Sequence, residues 1–230
     1  MYQALVFLPG LICDARLWRD VVSGLAERVA PMVADLTLDD SIPAMAARTL
    51  AAAPPRFALA GLSMGGYVAL EIMRQAPERV THLALLDTSA RADDTERRDT
   101  RRKAMALVED GKFIEVTRRL IGNLVVPEHV GGPIGEEVQA MSERVGPEVY
   151  RRQQQAIIER IDSRPFLKTI AVPTLVGVGE DDQLTPPELA AEMADAIPGA
   201  ELVHFPDSAH LPTMENPDAV VEAMREWLGR

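Results

Sequence analysis

The stretch FALAGLSMGGY, residues 57–67, decides the fold, because an apolar run meets a glycine turn and helix-like sequence follows at once. The run Phe57–Leu62 is typical of a strand that is buried on both faces. Ser63 then stands between Gly61 and Gly65 in the pattern Gly-x-Ser-x-Gly. A serine on a sharp turn from strand to helix has strained backbone angles, and small flanking residues prevent clashes around it. The stretch therefore predicts a strand, a turn that exposes the Ser63 hydroxyl, and a helix.

The predicted turn places Ser63 in a setting that suits a nucleophile. The helix start behind it contributes free N–H groups and the positive end of a helix dipole. The pentapeptide alone is a weak pattern, since glycine-rich turns also produce it by chance. The strand and the helix around it favour the nucleophile over the chance turn.

Strand-like and helix-like segments alternate over most of the chain. Further buried strands are predicted at Ala4–Leu8, Pro31–Leu36, His82–Asp87, Thr174–Gly179 and Glu201–Phe205. Helices are predicted behind an Asp14 cap, at Ile42–Ala53, behind Ser63, at Pro187–Ala196 and at Asp218–Leu228. This alternation predicts an α/β fold: a mostly parallel sheet of about six strands, flanked by helices and joined by right-handed crossovers.

Residues 92–166 break the alternation, because they show helical periodicity and no convincing strand. Prolines and glycines at Pro127, Gly131–Pro133 and Gly146–Pro147 divide the segment into short helices. We expect a helical cap, inserted before the fifth strand into an α/β core of residues 1–91 and 167–230. Such an insertion should lie at the carboxyl edge of the sheet, where folds of this class bind ligands.

The composition is that of one globular domain with a sizeable core. Aromatic residues make up only 4% of the chain, so aliphatic side chains and methionine should fill that core. A formal charge of −11 would repel phosphate backbones, which argues against nucleic acid as a partner. The one dense cationic cluster, Arg97–Lys103, is interpreted as a solvated helix face.

Cysteine use and the first residues predict a cytoplasmic protein. Cys13 is the only cysteine, so no disulfide can form within the chain. Met1–Gln3 carries no basic leader, and no apolar segment reaches the roughly 18 residues that a bilayer crossing needs. We therefore expect no membrane association, and the sequence does not indicate an oligomeric state.

A nucleophilic serine needs a general base, and four histidines are available. His82 opens a predicted strand and His204 lies inside one, so both are expected to be structural. His129 lies in the predicted cap, where a role in a pocket is open. His210 lies in a polar loop directly after the last predicted strand, and such a loop can carry an imidazole over the nucleophile. We predict that His210 is the base.

The acid that orients the base is less sharply defined by the residues alone. Asp181 and Asp182 are adjacent in the loop after the fifth predicted strand, and either gives the chain order serine, acid, histidine. Asp87, at the end of the fourth predicted strand, is a second candidate. Its alternative interpretation is a helix cap or a loop carboxylate.

Three motifs resemble the α/β-hydrolase fold superfamily, and the resemblance covers nearly the whole chain. The glycine-flanked nucleophile matches Gly61–Gly65, and the family's Gly-x-x-Asp-x-x-Thr-Pro acid loop matches Gly179–Pro186. The final loop, a histidine followed by Glu-x-Pro, matches His210 with Glu215–Pro217. The resemblance is closest to compact bacterial esterases and enol-lactone hydrolases. It implies a catalytic triad of Ser63, Asp182 and His210.

The same resemblance implies an oxyanion hole built from backbone N–H groups. By position these belong to Leu11 and Met64. Many relatives have His-Gly where this chain has Pro9-Gly10, so the histidine contacts that brace that loop are missing. Since the donors are backbone groups, the hole should survive, and two such donors supply several kcal/mol of transition-state stabilisation.

The activity implied is hydrolysis of small carboxylic esters through an acyl-enzyme. The pocket is expected to be lined by Leu11, Ile12, Met64 and residues from about 105 to 160, and to take a small, fairly apolar group. Lactonase, thioesterase and carbon–carbon bond hydrolase activities of the same fold are alternatives. A protein that binds a small ligand without turnover is a further one.

Other chemistries lack their residues. Ser63 excludes the aspartate mechanism of the haloalkane dehalogenases and epoxide hydrolases of this fold. No His/Cys/Asp cluster has metal-ligand spacing, and the phosphate-cradling glycine pattern is absent. No cofactor is therefore predicted.

Overall fold

The computed structural model describes residues Tyr2–Arg230 and contains a single parallel sheet. Its six strands lie in the order β2-β1-β3-β4-β5-β6, and every neighbouring pair is parallel. The strands are β1 (Gln3–Leu8), β2 (Val29–Val33), β3 (Phe57–Leu62), β4 (Val80–Leu86), β5 (Thr174–Gly179) and β6 (Glu201–Phe205). The predicted fold class and strand number are confirmed.

Helices cover both faces of the sheet, which is why β3 is apolar along its whole length and β4 is apolar from Leu83 onward. The helices before the fifth strand are α1 (Arg19–Gly24), α2 (Ile42–Ala52), α3 (Met64–Gln75), α4 (Thr95–Glu109), α5 (Phe113–Leu124), α6 (Pro127–Val130), α7 (Pro133–Val145), α8 (Pro147–Glu159) and α9 (Arg164–Leu167). The later ones are α10 (Pro187–Ala196), α11 (Pro212–Glu215) and α12 (Pro217–Trp227). Within Tyr2–Arg230, none of these helices combines the length and the apolar character that a bilayer crossing requires.

The core divides into two layers, one on each face of the sheet. Successive side chains of a strand point to opposite faces, so Leu5 and Phe7 pack on one side while Val6 and Leu8 pack on the other. The Val6 layer includes residues of α2, α3 and α10, and the Leu5 layer includes residues of α1 and α12. These two layers hold the strands rigidly and present their carboxyl ends at one edge.

The position of the second strand was predicted wrongly, whereas the predicted Asp14 cap is confirmed. The second strand starts at Val29 rather than Pro31, and it ends before Leu36. Pro31 lies inside it because β2 is an edge strand, where a missing N–H costs no ladder bond on the open side. The predicted helix behind Asp14 begins as a short 3₁₀ turn, which the Asp14 carboxylate caps through the Arg16 N–H at 2.9 Å, before α1 starts.

Residues between β4 and β5 contain α4 to α9 and no strand. We propose that residues 92–166 form a cap on a core of residues 1–91 and 167–230. Contacts between this cap and the carboxyl-end loops of the sheet, such as that of Gln153 with Ile12, support that division.

Candidate active site

Ser63 is the single residue that links the end of β3 to the start of α3. Its backbone has φ 55° and ψ −117°, a strained conformation for a residue with a side chain. A Cβ on Gly61 would overlap the carbonyl of Gly65, and one on Gly65 would overlap the carbonyl of Leu8. The Thr88 hydroxyl holds the turn by donating to the Ser63 carbonyl at 2.7 Å. The turn therefore has the geometry that the sequence predicts.

His210 lies over this turn and connects two side chains that are far apart in sequence. Its Nε2 lies 2.8 Å from Ser63 Oγ, and its Nδ1 lies 2.8 Å from Asp182 Oδ2. The Asp182 and His210 side chains are almost fully buried. Serine, imidazole and carboxylate thus form one continuous hydrogen-bonded chain, which is the arrangement that activates a serine hydroxyl.

The Asp182 carboxylate is surrounded by donors. Its Oδ1 accepts from the Leu184 N–H at 2.8 Å and the Thr185 N–H at 3.1 Å, and its Oδ2 accepts from the Thr185 hydroxyl at 2.7 Å. Burial by itself would raise the pKa of Asp182, but the charge of His210 and the bonds from His210 and Thr185 outweigh it and lower the pKa to about 2. The carboxylate is therefore ionised at every physiological pH.

The two other candidate acids occupy different surroundings. The Asp181 side chain is exposed, and its backbone N–H donates to the Ser208 carbonyl at 3.0 Å. Asp87 is completely buried, and its Oδ1 accepts from the Gly179 N–H at 2.8 Å. The structure therefore pairs His210 with Asp182 and leaves Asp87 behind that pair.

Asp87, Asp182 and His210 are also, within residues 2–230, the one set of His and acidic side chains close enough to hold a metal ion. Both ring nitrogens of His210 are hydrogen-bonded, one to Asp182 and the other to Ser63. His210 thus joins Asp182 and Ser63 in a hydrogen-bonded network.

The remaining histidines lie away from Ser63. His82 Nδ1 lies 3.1 Å from Gln3 Nε2, the ring packs edge-on against Trp227, and burial lowers its pKa. His204 is exposed on the edge strand. Neither contacts the serine, as the structural interpretation predicts.

Glu215 connects the cap to the histidine loop. Its buried carboxylate accepts from the Val126 N–H at 2.7 Å and the Ala209 N–H at 2.9 Å, and it lies 3.1 Å from His129 Nδ1. The sequence marks this glutamate only as part of a motif, because its partners lie far away along the chain. His129 thus belongs to the support of the loop that carries His210.

The predicted oxyanion loop has a brace that sequence analysis missed. The side chain of Gln153 in α8 accepts from the Ile12 N–H at 2.8 Å and donates to the Leu36 carbonyl at 3.1 Å. Ile12 has a φ of 53°, which is strained for a β-branched residue. Within residues 2–230, the N–H groups of Leu11 and Met64 donate to no other group. Both are thus free to bind an incoming oxygen.

A cavity of about 500 Å³ opens beside Ser63, between the core loops and the cap. The core contributes Gly10, Leu11, Ile12, Cys13, Leu62, Ser63, Tyr67, Gln183, Leu184, Thr185, His210 and Leu211. The cap contributes Asp94, Glu96, Arg97, Thr100, Arg101, Ala104, Leu120, Leu124, Tyr150, Gln154 and Ile157. Of the three residues predicted to bind substrate, Leu11 and Ile12 line this cavity, whereas the Met64 side chain is buried in the core and does not.

The cap wall of this cavity is more polar than the sequence predicts. Arg97 and Arg101, assigned to a solvated helix face, line the cavity together with Asp94 and Glu96. Arg101 is held by the buried Asp93 carboxylate, with Nε 2.6 Å from Oδ2. The lining also begins at residue 94, before the expected boundary near 105. Alternation of charges along α4 gave no sign of which charges face inward.

Cys13 is a second potential nucleophile close to the serine. Its Sγ donates to the Leu11 carbonyl at 3.3 Å, and the side chain is buried against the cavity wall. Burial, with a smaller contribution from the Asp14 charge, raises the pKa of the thiol to about 12. Because the thiolate is the reactive form, Cys13 does not compete with Ser63.

Residues 5–223 match the sequence model of the Alpha/beta hydrolase family. A Mycobacterium tuberculosis protein provisionally named non-heme bromoperoxidase BpoC is 33% identical over 188 residues, which cover 78% of this chain and 70% of that protein. A pimeloyl-acyl-carrier-protein methyl ester esterase of Nitrosomonas europaea is 27% identical over 242 residues, which cover 94% of this chain and 92% of that protein.

Among solved structures, this chain is similar to a thermophilic esterase from Thermogutta terrifontis. The two are 29% identical with a TM-score of 0.90, and the match covers 99% of this chain and 89% of that chain. The names of these relatives describe different reactions, so the matches identify the family and the fold of this chain and not a single reaction. They confirm the resemblance that the three sequence motifs predict.

Proposed function

The chain belongs to the alpha/beta hydrolase family, and on that premise we propose that it is a serine hydrolase of small carboxylic esters. The observation that carries the proposal is the hydrogen-bonded chain from Ser63 through His210 to Asp182, which borders a cavity of about 500 Å³. Ester-cleaving relatives, named as esterases, support the reaction class.

In the first step, Ser63 Oγ attacks the ester carbonyl carbon while His210 Nε2 accepts the hydroxyl proton. The distance of 2.8 Å between these atoms is within reach for this transfer. Asp182 keeps the Nδ1 proton of His210 directed toward itself and stabilises the imidazolium that forms.

The carbonyl oxygen becomes negatively charged in the tetrahedral intermediate. We assign its stabilisation to the N–H groups of Leu11 and Met64, one from the loop after β1 and one from the first residue of α3. Preorganised donors of this kind contribute roughly 3–4 kcal/mol each when removed singly. Gln153 holds the Leu11 loop in place through the adjacent Ile12 N–H.

Collapse of the intermediate releases the alcohol, which takes its proton from His210, and leaves the acyl group on Ser63. A water molecule then attacks the acyl carbon, with His210 accepting the water proton and returning a proton to Ser63 Oγ. No metal ion or organic cofactor takes part in this sequence.

The cavity wall supports a substrate with both apolar and polar parts. Leu11, Ile12 and Ile157 provide apolar surface, while Arg97 and Arg101 provide hydrogen-bond donors. Lactones, thioesters and carbon–carbon bonds adjacent to a carbonyl fit the same chemistry, so a substrate panel separates these cases from simple esters.

The test is turnover and labelling of the purified protein. Short-chain p-nitrophenyl esters should be hydrolysed, and a fluorophosphonate probe should label Ser63. Ser63→Ala should abolish labelling and lower kcat by at least about 10⁴-fold, because only the oxyanion hole and binding remain. Ser142→Ala is a matched control, since the Ser142 hydroxyl is also buried but donates to the Gln139 carbonyl within α7.

Full activity in Ser63→Ala would overturn the assignment of the nucleophile. Absence of turnover on esters, thioesters and lactones, combined with thermal stabilisation by one of them, would favour a binding protein instead.

A further inference from the structure

Asp87 is a buried carboxyl group that the proposed mechanism does not use. It is the residue directly after β4, and its neighbour across the sheet is the end of β5, where the triad acid loop begins. Its side chain has no solvent exposure, and its backbone is held with φ 43° by an N–H bond to the Gly177 carbonyl at 2.9 Å. A strained backbone and a fully buried acid beside a reactive site are costly features, and such features cluster at functional sites.

The side chain of Asp87 is only half satisfied. Its Oδ1 accepts from the Gly179 N–H at 2.8 Å, whereas no donor in residues 2–230 reaches Oδ2. An Asp87 oxygen, an Asp182 oxygen and a His210 ring nitrogen lie within 4.8 Å of one another. An ionised carboxylate with one bare buried oxygen beside a second carboxylate would be strongly unfavourable.

Only one of these two neighbouring acids can be charged at low cost. Asp182 has the donors: two backbone N–H groups, the Thr185 hydroxyl and His210. The titratable groups that face Asp87 are Asp182, His210 and Glu215, and both of the acids repel a charge on it. Burial first, and then the Asp182 charge, raise the pKa of Asp87 well above its ordinary value.

We propose that Asp87 is a positioning residue of the triad: a permanently neutral carboxyl whose Oδ2–H donates to the Asp182 carboxylate. This proposal rests on the triad of the proposed function. The proton stays on Asp87 throughout the cycle, so no bond to the substrate and no proton transfer is assigned to it. Its role is to donate a hydrogen bond to Asp182 and thereby keep that carboxylate oriented toward His210 Nδ1.

The variant Asp87→Asn distinguishes a neutral Asp87 that donates a hydrogen bond from an ionised Asp87, because the two states predict different results. Asp87→Asn keeps the shape, keeps an acceptor for the Gly179 N–H and supplies an amide donor toward Asp182. It should retain kcat within about twofold and leave the acid limb of the kcat/KM profile in place. If Asp87 were ionised, removing its charge would weaken the hold on the imidazolium, and that limb would move to lower pH by about one unit or more.

Removal of the Asp87 hydrogen-bond donor should impair catalysis, whereas its replacement by an asparagine amide should not. Asp87→Ala leaves Asp182 without this bond, so kcat should fall by about tenfold with KM little changed, since a bond to a charged group is lost. The acid limb should move to higher pH, because a less satisfied Asp182 holds the His210 proton more tightly. Rescue by asparagine but not by alanine is the expected pattern, and equal loss in both variants would overturn the proposal.

Two measurements do not require turnover, so they separate this inference from the proposed function. The wild-type protein at neutral pH should show the infrared carbonyl absorption of a protonated carboxyl, which shifts with ¹³C-aspartate and disappears in Asp87→Asn. Asp93→Asn is the matched control and should keep the absorption, because the buried Asp93 is ion-paired with Arg101 and Arg160. Absence of the absorption in the wild-type protein would overturn the proposal whatever the activity.

The second measurement is thermal unfolding against pH. A carboxyl group whose pKa is raised on folding contributes its full stabilisation of the folded state below its unfolded pKa of about 3.9. This stabilisation declines as pH rises above that value. The melting temperature of Asp87→Asn relative to wild type should therefore rise between about pH 4 and pH 8. A difference that is independent of pH over this range would contradict a neutral Asp87.

Discussion

Asp182 and Asp87 lie just beyond the carboxyl ends of two neighbouring parallel strands, and both side chains are completely buried. They differ in the donors around them. Three protein donors besides His210 reach the Asp182 carboxylate, whereas among residues 2–230 the Gly179 N–H alone reaches Asp87. The pKa of the first is lowered to about 2, and that of the second is raised. Burial alone therefore does not decide the charge of a carboxyl group here, because at Asp182 the charge of His210 and the surrounding donors outweigh it.

The loop geometry explains why the donors are unequal. The turn after β5 folds back so that the N–H groups of Leu184 and Thr185 converge on one carboxylate. The chain after β4 instead leaves the sheet at once, and its next residue, Thr88, donates to the Ser63 carbonyl. One loop is built around a charge, and the other supports the serine turn.

The largest expected effect is on catalysis by Asp182. Asp182→Asn should lower kcat by about 10⁴-fold, because the amide favours the wrong imidazole tautomer. Asp181→Asn is the matched control, since that neighbouring side chain is exposed and should leave kcat within about twofold of wild type. Activity of the Asp182 variant near the wild-type level would mean that Asp87 replaces Asp182 as the acid and that the two carboxyl groups are not functionally distinct.

The next effect is on stability in acid. A pKa lowered on folding contributes stability above the unfolded value, and this stability is lost as pH falls through the folded value. For Asp182, with a pKa of about 2 in the folded protein, the loss amounts to about 2 kcal/mol between pH 5 and pH 2. Urea unfolding of the wild-type protein and of Asp182→Asn measures this loss. As pH falls over this range, the free energy of unfolding should decline less steeply in the variant than in the wild-type protein.

A surface carboxylate provides the control for that measurement. The pKa of Asp39 is also lowered, by hydrogen bonds from Arg48, whose side chain is half exposed at the surface. Because exposed pairs are screened, Asp39→Asn should change the acid decline only slightly. If Asp39→Asn and Asp182→Asn reduced the acid-induced loss of stability equally, the larger contribution assigned to Asp182 would be contradicted.

The smallest effect is expected from a substitution that removes one hydrogen-bond donor from Asp182, so that its surroundings become more like those of Asp87. Thr185→Val deletes the hydroxyl that lies 2.7 Å from Asp182 Oδ2, and kcat should fall by about tenfold for the lost bond to a charge. Thr185→Ser keeps the hydroxyl and should retain most of the activity. Equal activity in the valine and serine variants would show that the hydroxyl does not hold the carboxylate.

Local patterns predict much of this molecule. Ser63 with its glycines, the strand that precedes it and the six-strand sheet all follow from short stretches, because buried parallel strands are apolar runs and the turn needs small residues. His210 could be predicted from its place in a loop after the last strand. The choice between Asp181 and Asp182 came from family resemblance, since the residues alone do not show which side chain is buried.

Other parts of the site depend on partners that no local pattern reveals. The second strand lies two residues earlier than predicted, because the ladder with β1 sets its register. Gln153 reaches the Ile12 N–H from the cap, and Glu215 reaches Val126 from the end of the chain. Arg97 and Arg101 line the cavity although their helix is strongly charged. Each of these depends on how the cap lies on the core.

The sequence by itself determined the reaction chemistry that can be proposed, because nucleophile, base and acid loop are marked by residue types that their backbone turns require. Tertiary structure alone decided which buried carboxyl faces His210, which is left behind it, and which charges line the cavity. The physical reason is that ionisation and orientation depend on donors brought together from distant segments. Ser63 is recognised from its neighbours in sequence, and the state of Asp87 only from its neighbours in space.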